Sequence, residues 1–335
     1  MSERIVRRRL GSQGLEVSAI GLGTMGMTGV AGMPDMYGKP DEAECIATVQ
    51  RALDLGIDFF DTAEVYGPWS NEQLLARALG PRRHEAKIAT KFGFRLSAQG
   101  KMEGLDGSAQ NARRALDASL KRLGVDHIDL WYLHRYDRTV PIEDTVGAMA
   151  EGVRAGKVRY LGLSEVGAAT LRRAHAVHPI TALQSEYSVW ERNVEGAVLQ
   201  ACRQLGIGIV PYSPLGRGFL SGTLPAPDAL GADDYRRMDP RFEREHYARN
   251  LAIAETLQRI AQRHHATAAQ IALAWLLGQG HDIVPIPGTK QRRWLNDNAA
   301  AAAIQLNADD MLTLKNLQPT QGARYNERAM ASIDR

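Results

Sequence analysis

The chain has 335 residues, 44% of them hydrophobic and 24% charged, with 41 basic residues against 38 acidic ones and a net charge of +3. This composition is typical of a globular protein and fits either two ordinary domains or one large α/β barrel. No dense basic run alternates with aromatic residues, and no apolar run or signal core is long enough for a membrane, so we expect a cytoplasmic protein that binds neither nucleic acid nor membrane.

Short apolar β-rich runs alternate with amphipathic runs along the chain. The predicted strands are 17–22, 57–60, 87–89, 128–133, 158–163, 181–185, 207–210 and 283–286. The helices predicted to follow them are 41–55, 71–79, 108–123, 142–155, 168–176, 194–205, 250–265 and 291–302. The strands are apolar on both faces, as in a parallel sheet covered by helices. Eight such units predict an α/β fold of the (β/α)8 TIM-barrel class.

No linker divides the chain, so residues 1–335 are expected to form a single barrel domain. Residues 1–16 resemble a β-hairpin that turns around Ser12-Gln13-Gly14 and closes the bottom of the barrel. Two long top-face excursions are predicted, at 25–40 and 216–249, and residues 305–335 form a C-terminal segment.

One glycine motif has to be excluded first. Residues 21–26 match the G-x-G-x-x-G spacing of dinucleotide-binding loops. That motif works only where it opens a helix whose amides hold a pyrophosphate. Glycines and prolines at 29, 32, 34, 38 and 40 prevent a helix here, so a Rossmann domain is not expected.

Three successive predicted strands end in ionisable residues, namely Asp61, Lys91 and His134. Adjacent strands lie about 4.8 Å apart, so the three side chains should converge on the C-terminal rim, where barrel active sites lie. Tyr66 follows the second strand and can fold back over them. A single buried Asp or Lys is costly, whereas the group together neutralises its charges.

This group of four has the chemistry of a proton-delivery site. A phenol has a pKa of about 10, which a neighbouring ammonium lowers, and Asp61 can hold Lys91 charged. A neutral His134 can orient a carbonyl oxygen. Cys45 and Cys202 stand alone, and no metal-ligand spacing is present. The site therefore predicts reduction of a carbonyl, with the hydride supplied by a cofactor.

The sequence resembles the aldo-keto reductase family at this point. The resemblance rests on Asp61, Tyr66, Lys91 and His134 and on the ordered motifs "LGLGTM", "DFFDTAEVYG", "IATK", "IDLWYLHR", "GKVRYLGLSE", "QSEYS", "IVPYSPLGRGFLSG" and "PIPGTK". It is strongest with the bacterial and plant branch that includes perakine-reductase-like enzymes. The resemblance implies that these four residues are catalytic and that NADP(H) lies across the barrel mouth.

Further positions follow from the resemblance. Tyr212 would stack on the nicotinamide, and Ser164 and Gln184 would bind its carboxamide. The other implied cofactor residues are Gly23, Thr24, Met25, Ser213, Leu215, Gly216, Arg217, Gly218, Gly288, Thr289, Lys290, Trp294, Asp297 and Asn298. Most of the family has Asn where this chain has Glu165, which could line the pocket or face water.

The helix start at 288–298 predicts the choice of cofactor. Lys290 would bind the 2′-phosphate of NADP, and Asp297 and Asn298 the adenine. Many relatives have Arg where this chain has Trp294, which could stack on the adenine while Arg292 or Arg293 supplies the charge.

The substrate is a small carbonyl compound, for which Trp69, Tyr136, Tyr187 and Trp190 could form an aromatic pocket together with Met25. Such a pocket suits aromatic or medium-chain aldehydes and ketones and offers no evident clamp for a phosphate. Two other functions stay open, namely a Schiff-base aldolase using Lys91 and a non-catalytic NADP-binding module that serves a partner protein. The sequence sets neither the reaction direction nor the oligomeric state.

Overall fold

The computed structural model describes residues 5–33, 36–232 and 234–334. Parts of the predicted hairpin segment, of the two excursions and of the C-terminal segment, at 1–4, 34–35, 233 and 335, lie outside the described residues.

A β-hairpin closes the N-terminal end of the barrel. Strands β1 (Arg7–Leu10) and β2 (Leu15–Ser18) pair antiparallel. Leu10 packs in the barrel interior, and the Ser12 amide donates to the Gly206 carbonyl at 2.8 Å, just before a barrel strand. The first predicted barrel strand, 17–22, is therefore corrected. Its first two residues belong to the hairpin, and the barrel strand is β3 (Leu22–Gly23).

The remaining strands follow in chain order. They are β4 (Phe59–Asp61), β5 (Lys87–Phe92), β6 (Phe94–Leu96), β7 (Met102–Leu105), β8 (Ile128–Leu133), β9 (Val158–Ser164), β10 (Ile180–Glu186) and β11 (Gly208–Tyr212). Seven of the strands form one parallel sheet in the order β3-β4-β5-β8-β9-β10-β11. An antiparallel pair, β6 and β7, follows β5 and was not predicted.

The eighth position of the barrel is filled by residues 282–288, which connect β11 to β3. The amides of Val284 and Ile286 donate to β11, while the carbonyls of Pro285 and Pro287 accept from Gly21 and Gly23 of the β3 segment. The two prolines have no N–H to donate back, so the ladder on the β3 side is incomplete and a single isolated bridge, between Gly23 and Gly288, forms there. The predicted (β/α)8 class is confirmed, with this segment closing the barrel.

The helices surround the sheet. They are α1 (Glu42–Asp54), α2 (Ser70–Leu79), α3 (Ala109–Leu123), α4 (Ile142–Arg154), α5 (Ala168–Val177), α6 (Ala197–Leu205), α7 (Arg244–Arg263), α8 (Ala268–Gly278), α9 (Arg292–Ala300), α10 (Ala308–Lys315) and α11 (Glu327–Met330). Between β11 and α7 the chain forms short 3₁₀ turns. None of the helices within the described residues is long and apolar enough to cross a membrane.

Candidate active site

The strand ends bring the predicted ionisable residues together. Asp61 ends β4, Lys91 lies at the end of β5, and His134 directly follows β8. The parallel register pairs Asp61 with Ala89 and Lys91 with Tyr132. All three ionisable side chains are buried at the C-terminal rim of the barrel.

Lys91 is the centre of the cluster. Its ammonium forms an ion pair with Asp61, donates to the Thr62 carbonyl at 2.8 Å, and lies 3.2 Å from the Tyr66 hydroxyl oxygen. An ammonium has three donors, and these three contacts use them all. Lys91 is therefore fixed between the carboxylate and the phenol.

The turn after β4 folds Tyr66 back over the barrel mouth. The Glu64 amide donates to the Lys91 carbonyl at 3.1 Å, which ties the turn to β5. The Tyr66 amide donates to Ala63 and the Trp69 amide to Glu64, at 3.1 and 2.8 Å. These bonds close the turn and leave Tyr66 only 7% exposed.

Burial sets the protonation of this cluster. It raises the pKa of Tyr66 above its ordinary value, while Lys91 opposes the rise and Asp61 adds to it. The expected net lowering by the ammonium is therefore not found, because desolvation outweighs it. Burial also raises the pKa of Asp61 against the pull of Lys91. For Lys91, burial lowers the pKa, but Asp61 and Tyr66 outweigh it and leave the pKa raised.

His134 faces the phenol from the next strand end. Its ring centroid lies 5.9 Å from that of Tyr66 and 5.0 Å from that of Phe94, both in edge-on geometry. Burial, with the charges of Lys91 and Arg135, holds the pKa of His134 well below its usual range. Its buried Nδ1 has no hydrogen-bond partner among the described residues. A neutral imidazole is thus available to a ligand.

Three further strand ends continue the rim. Gln184 of β10 donates to the second carboxylate oxygen of Asp61 at 2.7 Å and so joins the cluster. Ser164 ends β9, and its hydroxyl accepts from Arg135 at 3.2 Å. Tyr212 ends β11, and its hydroxyl lies 2.8 Å from that of Tyr325.

Residues 213–218 form a tight turn after β11. The backbone φ is positive at Ser213, Gly216, Arg217 and Gly218. The amides of Gly216 and Gly218 donate to Ser213 and Leu215 within the turn. A Cβ on Gly216 would lie 2.6 Å from the Trp190 ring, so only glycine fits there.

Arg217 is already neutralised inside the protein. It pairs with Asp239, and Glu186 lies 4.0 Å away. Its guanidinium lies between the rings of Tyr235 and Tyr325, 4.9 Å from each centroid. A pyrophosphate at Arg217 would have to share the guanidinium with these partners.

A cavity of about 720 Å³ opens at the start of α9. Its charged lining residues are Lys39, Arg51, Lys290, Arg292 and Arg293 against Asp41 and Glu44, five cations to two carboxylates. Lys290 donates to the carbonyls of Tyr37, at 3.1 Å, and Gly38. The cavity is therefore basic.

Glu44 occupies the N-terminus of α9. Its carboxylate accepts from the Arg292 amide at 2.9 Å and pairs with the Arg292 side chain at 2.9 Å. The predicted helix start thus already holds one anionic group of the protein itself.

The other residues expected near the adenine lie along α9 and before it. Trp294 is 43% exposed, with the Arg293 guanidinium 4.1 Å from its ring. Asp297 accepts from Thr267 and Gln270 at the start of α8. Asn298 is buried, and Thr289 accepts from the Gln291 amide.

The three residues expected at the start of the barrel also lie at the mouth. A Cβ on Gly23 would lie 2.9 Å from the Ile286 carbonyl, because the backbone of 282–288 passes so close, and Gly23 bridges Gly288. The Thr24 hydroxyl donates to the Asp61 carbonyl at 2.8 Å. Met25 packs beside Tyr66, in a 3₁₀ turn and not in the helix of a dinucleotide fingerprint.

Two of the aromatic residues expected in the substrate pocket lie in the core. Tyr187 is 0% exposed, packs edge-on to Trp275 and donates to Glu195 at 3.0 Å. Trp190 is buried and stacks on Phe219 with centroids 4.5 Å apart. Trp69 and Tyr136 are partly exposed. Trp69 and Tyr136 therefore keep exposed surface, whereas Tyr187 and Trp190 have almost none.

Glu165 neither faces water nor stands alone. It has a positive φ of 55° and is buried. Its carboxylate accepts from the Glu186 amide at 2.9 Å and from Ser185 at 3.2 Å, and it pairs with Arg324 of the C-terminal segment. Arg324 is not predictable as this partner, because no local pattern in the sequence marks a contact 159 residues away.

A parallel α/β barrel with a Tyr–Lys–Asp–His cluster at its mouth defines an acid–base enzyme class. Comparison with known proteins makes this specific: residues 19–319 match the profile of the Aldo/keto reductase family. The chain belongs to this family, whose members are oxidoreductases that act on carbonyls and generally use a nicotinamide cofactor.

Individual relatives support the same family membership. The chain is 45% identical over 327 residues to the probable aldo-keto reductase 1 of Glycine max, covering 95% of this chain and 91% of the relative. Its fold is similar to the glycerol dehydrogenase of Gluconobacter oxydans, with a TM-score of 0.84, 26% identity and 95% and 99% of the two chains covered. The holo form of an aldo-keto reductase from Bacillus halodurans matches with a TM-score of 0.77, 27% identity and coverage of 97% and 99%.

Proposed function

We propose that the chain is an NADP(H)-dependent reductase of aldehydes or ketones that also oxidises the corresponding alcohols, with Tyr66 as the general acid. One observation carries this proposal. The Tyr66 phenol, the Lys91 ammonium and the Asp61 carboxylate form a buried chain of contacts at the barrel mouth, with neutral His134 beside the phenol.

The residues at the rim fit a dinucleotide. The basic cavity at α9 is complementary to a phosphate. Tyr212 would stack on the nicotinamide, Ser164 and Gln184 would bind its carboxamide, and Gly23, Thr24 and Met25 would also contact the cofactor. Ser213, Leu215, Gly216, Arg217 and Gly218 would hold the diphosphate. Lys290 would bind the 2′-phosphate, with Trp294, Asp297 and Asn298 near the adenine.

The chain's own residues would then deliver a proton. When bound, the cofactor would supply the hydride for the carbonyl carbon. His134 donates a hydrogen bond to the carbonyl oxygen and orients it. Tyr66 gives its proton to that oxygen as the carbonyl group becomes an alcohol, and solvent later reprotonates the phenolate.

Lys91 and Asp61 support this proton transfer electrostatically. The Lys91 ammonium, 3.2 Å from the phenol oxygen, stabilises the phenolate that forms. Asp61 keeps Lys91 charged and is itself held by Gln184. Because the pKa of Tyr66 is raised, the phenol stays protonated at neutral pH, as reduction requires.

A panel of neutral aldehydes and ketones tests the proposal, with turnover followed by the loss of NADPH absorbance. We expect aromatic and medium-chain aldehydes to be reduced. Binding of NADPH without turnover of any carbonyl would instead support a non-catalytic module.

The aldolase alternative is disfavoured by the charge of Lys91. Schiff-base chemistry needs a neutral amine, whereas the ion pair with Asp61 keeps this one protonated. Borohydride treatment with a ketone substrate should therefore give no covalent adduct at Lys91. A trapped adduct would revive the aldolase.

A further inference from the structure

Arg135 lies at the same rim as the catalytic cluster and takes no part in the mechanism above. It directly follows His134, and one guanidinium nitrogen, Nη1, donates to the His134 carbonyl at 2.8 Å and to the Ser164 hydroxyl at 3.2 Å. These two bonds hold the guanidinium across the ends of β8 and β9. Arg135 is half-buried at this rim.

Arg135 differs from the other arginines near this rim. Arg241 lies 2.8 Å from Glu186, Arg217 pairs with Asp239, and Arg324 pairs with Glu165. Within the described ranges, by contrast, no carboxylate oxygen lies within 4.0 Å of Arg135, and only its Nη1 donates a hydrogen bond. Arg135 is thus a partly desolvated cation with donors to spare.

The charge of Arg135 affects the pKa values of the two groups proposed to act on the carbonyl. The guanidinium lowers the pKa of both Tyr66 and His134, although burial is the larger influence on each. Burial lowers the pKa of Arg135 itself, but Tyr212 and Glu165 outweigh this effect and leave it raised. Arg135 is therefore charged and interacts electrostatically with both the proposed proton donor and Tyr212.

We propose that Arg135 is a specificity-determining residue that binds a carboxylate carried by the substrate next to its reacting carbonyl. A planar guanidinium with free donors matches a carboxylate in bidentate geometry, and partial burial strengthens the contact. The preferred substrates would then be 2-oxo acids and short aldehyde acids. This inference rests on the proposed carbonyl reduction and names the substrate class of that same site.

The test compares benzoylformate with its methyl ester, which differ in one negative charge. The kcat/KM of each is measured with NADPH for the wild type, Arg135→Gln and Arg135→Lys. A charge-assisted contact predicts that the acid-to-ester ratio falls roughly tenfold to a hundredfold in Arg135→Gln and is partly kept in Arg135→Lys. Arg138→Gln is the matched control, because Arg138 lies on the same loop but is exposed and 3.8 Å from Asp334. Its ratio should equal that of the wild type.

The outcomes distinguish a failure of this inference from a failure of the proposed reductase function. An acid-to-ester ratio that Arg135→Gln leaves unchanged would overturn the inference, even if neutral aldehydes are reduced well. Equal losses for both substrates together with weaker NADPH binding would also overturn it, and would make Arg135 a cofactor-positioning residue. If the wild type reduces no neutral aldehyde and no keto acid, the proposed reductase function itself fails.

Discussion

The Nζ of Lys91 lies 3.2 Å from the hydroxyl oxygen of Tyr66, and the same ammonium is ion-paired with Asp61 behind it. Two opposing effects therefore act on the phenol: burial raises its pKa and Lys91 lowers it. In this account the lysine does not make Tyr66 acidic; it limits how far burial can suppress the release of its proton.

The first prediction concerns the pH profile of alcohol oxidation. Oxidation needs the Tyr66 phenolate, so the rate should rise with pH through the pKa of Tyr66. Lys91→Met removes the charge that lowers this pKa, so the rising limb should move to higher pH or leave the accessible range. A limb that stays in place would show that Lys91 does not act on the phenol.

Asp61→Asn should move the same limb to lower pH, opposite to Lys91→Met, because the Asp61 charge raises the pKa of Tyr66 and the lysine remains beside the phenol. The losses of activation free energy in the two single variants and in the double variant should be non-additive, as expected for groups in contact. Additive losses would mean that the two residues act independently.

The second prediction concerns the choice between NADPH and NADH. Lys290→Ala should weaken NADPH binding by roughly tenfold to a hundredfold and leave NADH almost unchanged, because only NADPH carries the 2′-phosphate. Fluorescence titration of both cofactors measures this. Lys157→Ala is the control, since this lysine pairs with Asp117 elsewhere on the surface. Equal binding of the two cofactors by the wild type would contradict the NADP assignment.

A third prediction follows from Glu44 at the N-terminus of α9. Its carboxylate competes for the Arg292 amide and side chain that a phosphate would use. Glu44→Gln removes the competing charge and should tighten NADPH binding several-fold, with little effect on NADH. Weaker NADPH binding in this variant would indicate that the Glu44–Arg292 pair shapes the site instead of competing for it.

The fourth prediction concerns stability. Burial, with nearby Glu72, raises the pKa of Glu64 from 4.5 to about 7. A carboxyl whose pKa is higher in the folded than in the unfolded protein stabilises the folded state at low pH, where it is protonated. This stabilisation is lost as the pH rises from about 4.5 to 7. Glu64→Gln should lack this loss. The difference in free energy of unfolding between Glu64→Gln and the wild type should therefore shift in favour of the variant by about 1–3 kcal/mol from pH 5 to pH 8.

Urea unfolding at the two pH values measures this difference, with Glu103→Gln as the exposed control. A pH-independent difference between Glu64→Gln and the wild type would show that Glu64 ionises as an ordinary carboxyl.

The sequence predicted the barrel class and the convergence of the strand ends, because parallel strands with helical crossovers leave little choice of geometry. It placed the first strand wrongly, because Val17 is as apolar in the hairpin as it would be in the barrel. Helix α8 was missed because its run "IALAWLLG" is apolar on every side and has no helical periodicity.

Long-range pairing was beyond the reach of local patterns. Glu165 could be read as a pocket or surface residue because its partner Arg324 lies in a distant segment. Tyr187 and Trp190 follow a strand end, as pocket residues do, yet packing against Trp275 and Phe219 buries them in the core. Sequence periodicity does not distinguish an aromatic side chain that lines a pocket from one that is buried in the core.

The most direct test of the central claim is the rate of hydride transfer in Tyr66→Phe, measured in a single turnover with bound NADPH and a good aldehyde substrate. The substitution removes only the hydroxyl beside Lys91, so the fold and NADPH affinity should stay as in wild type. We expect a loss of about two to four orders of magnitude in the transfer rate, the usual contribution of a general acid. Transfer at close to the wild-type rate, with NADPH still bound, would show that Tyr66 is not the proton donor.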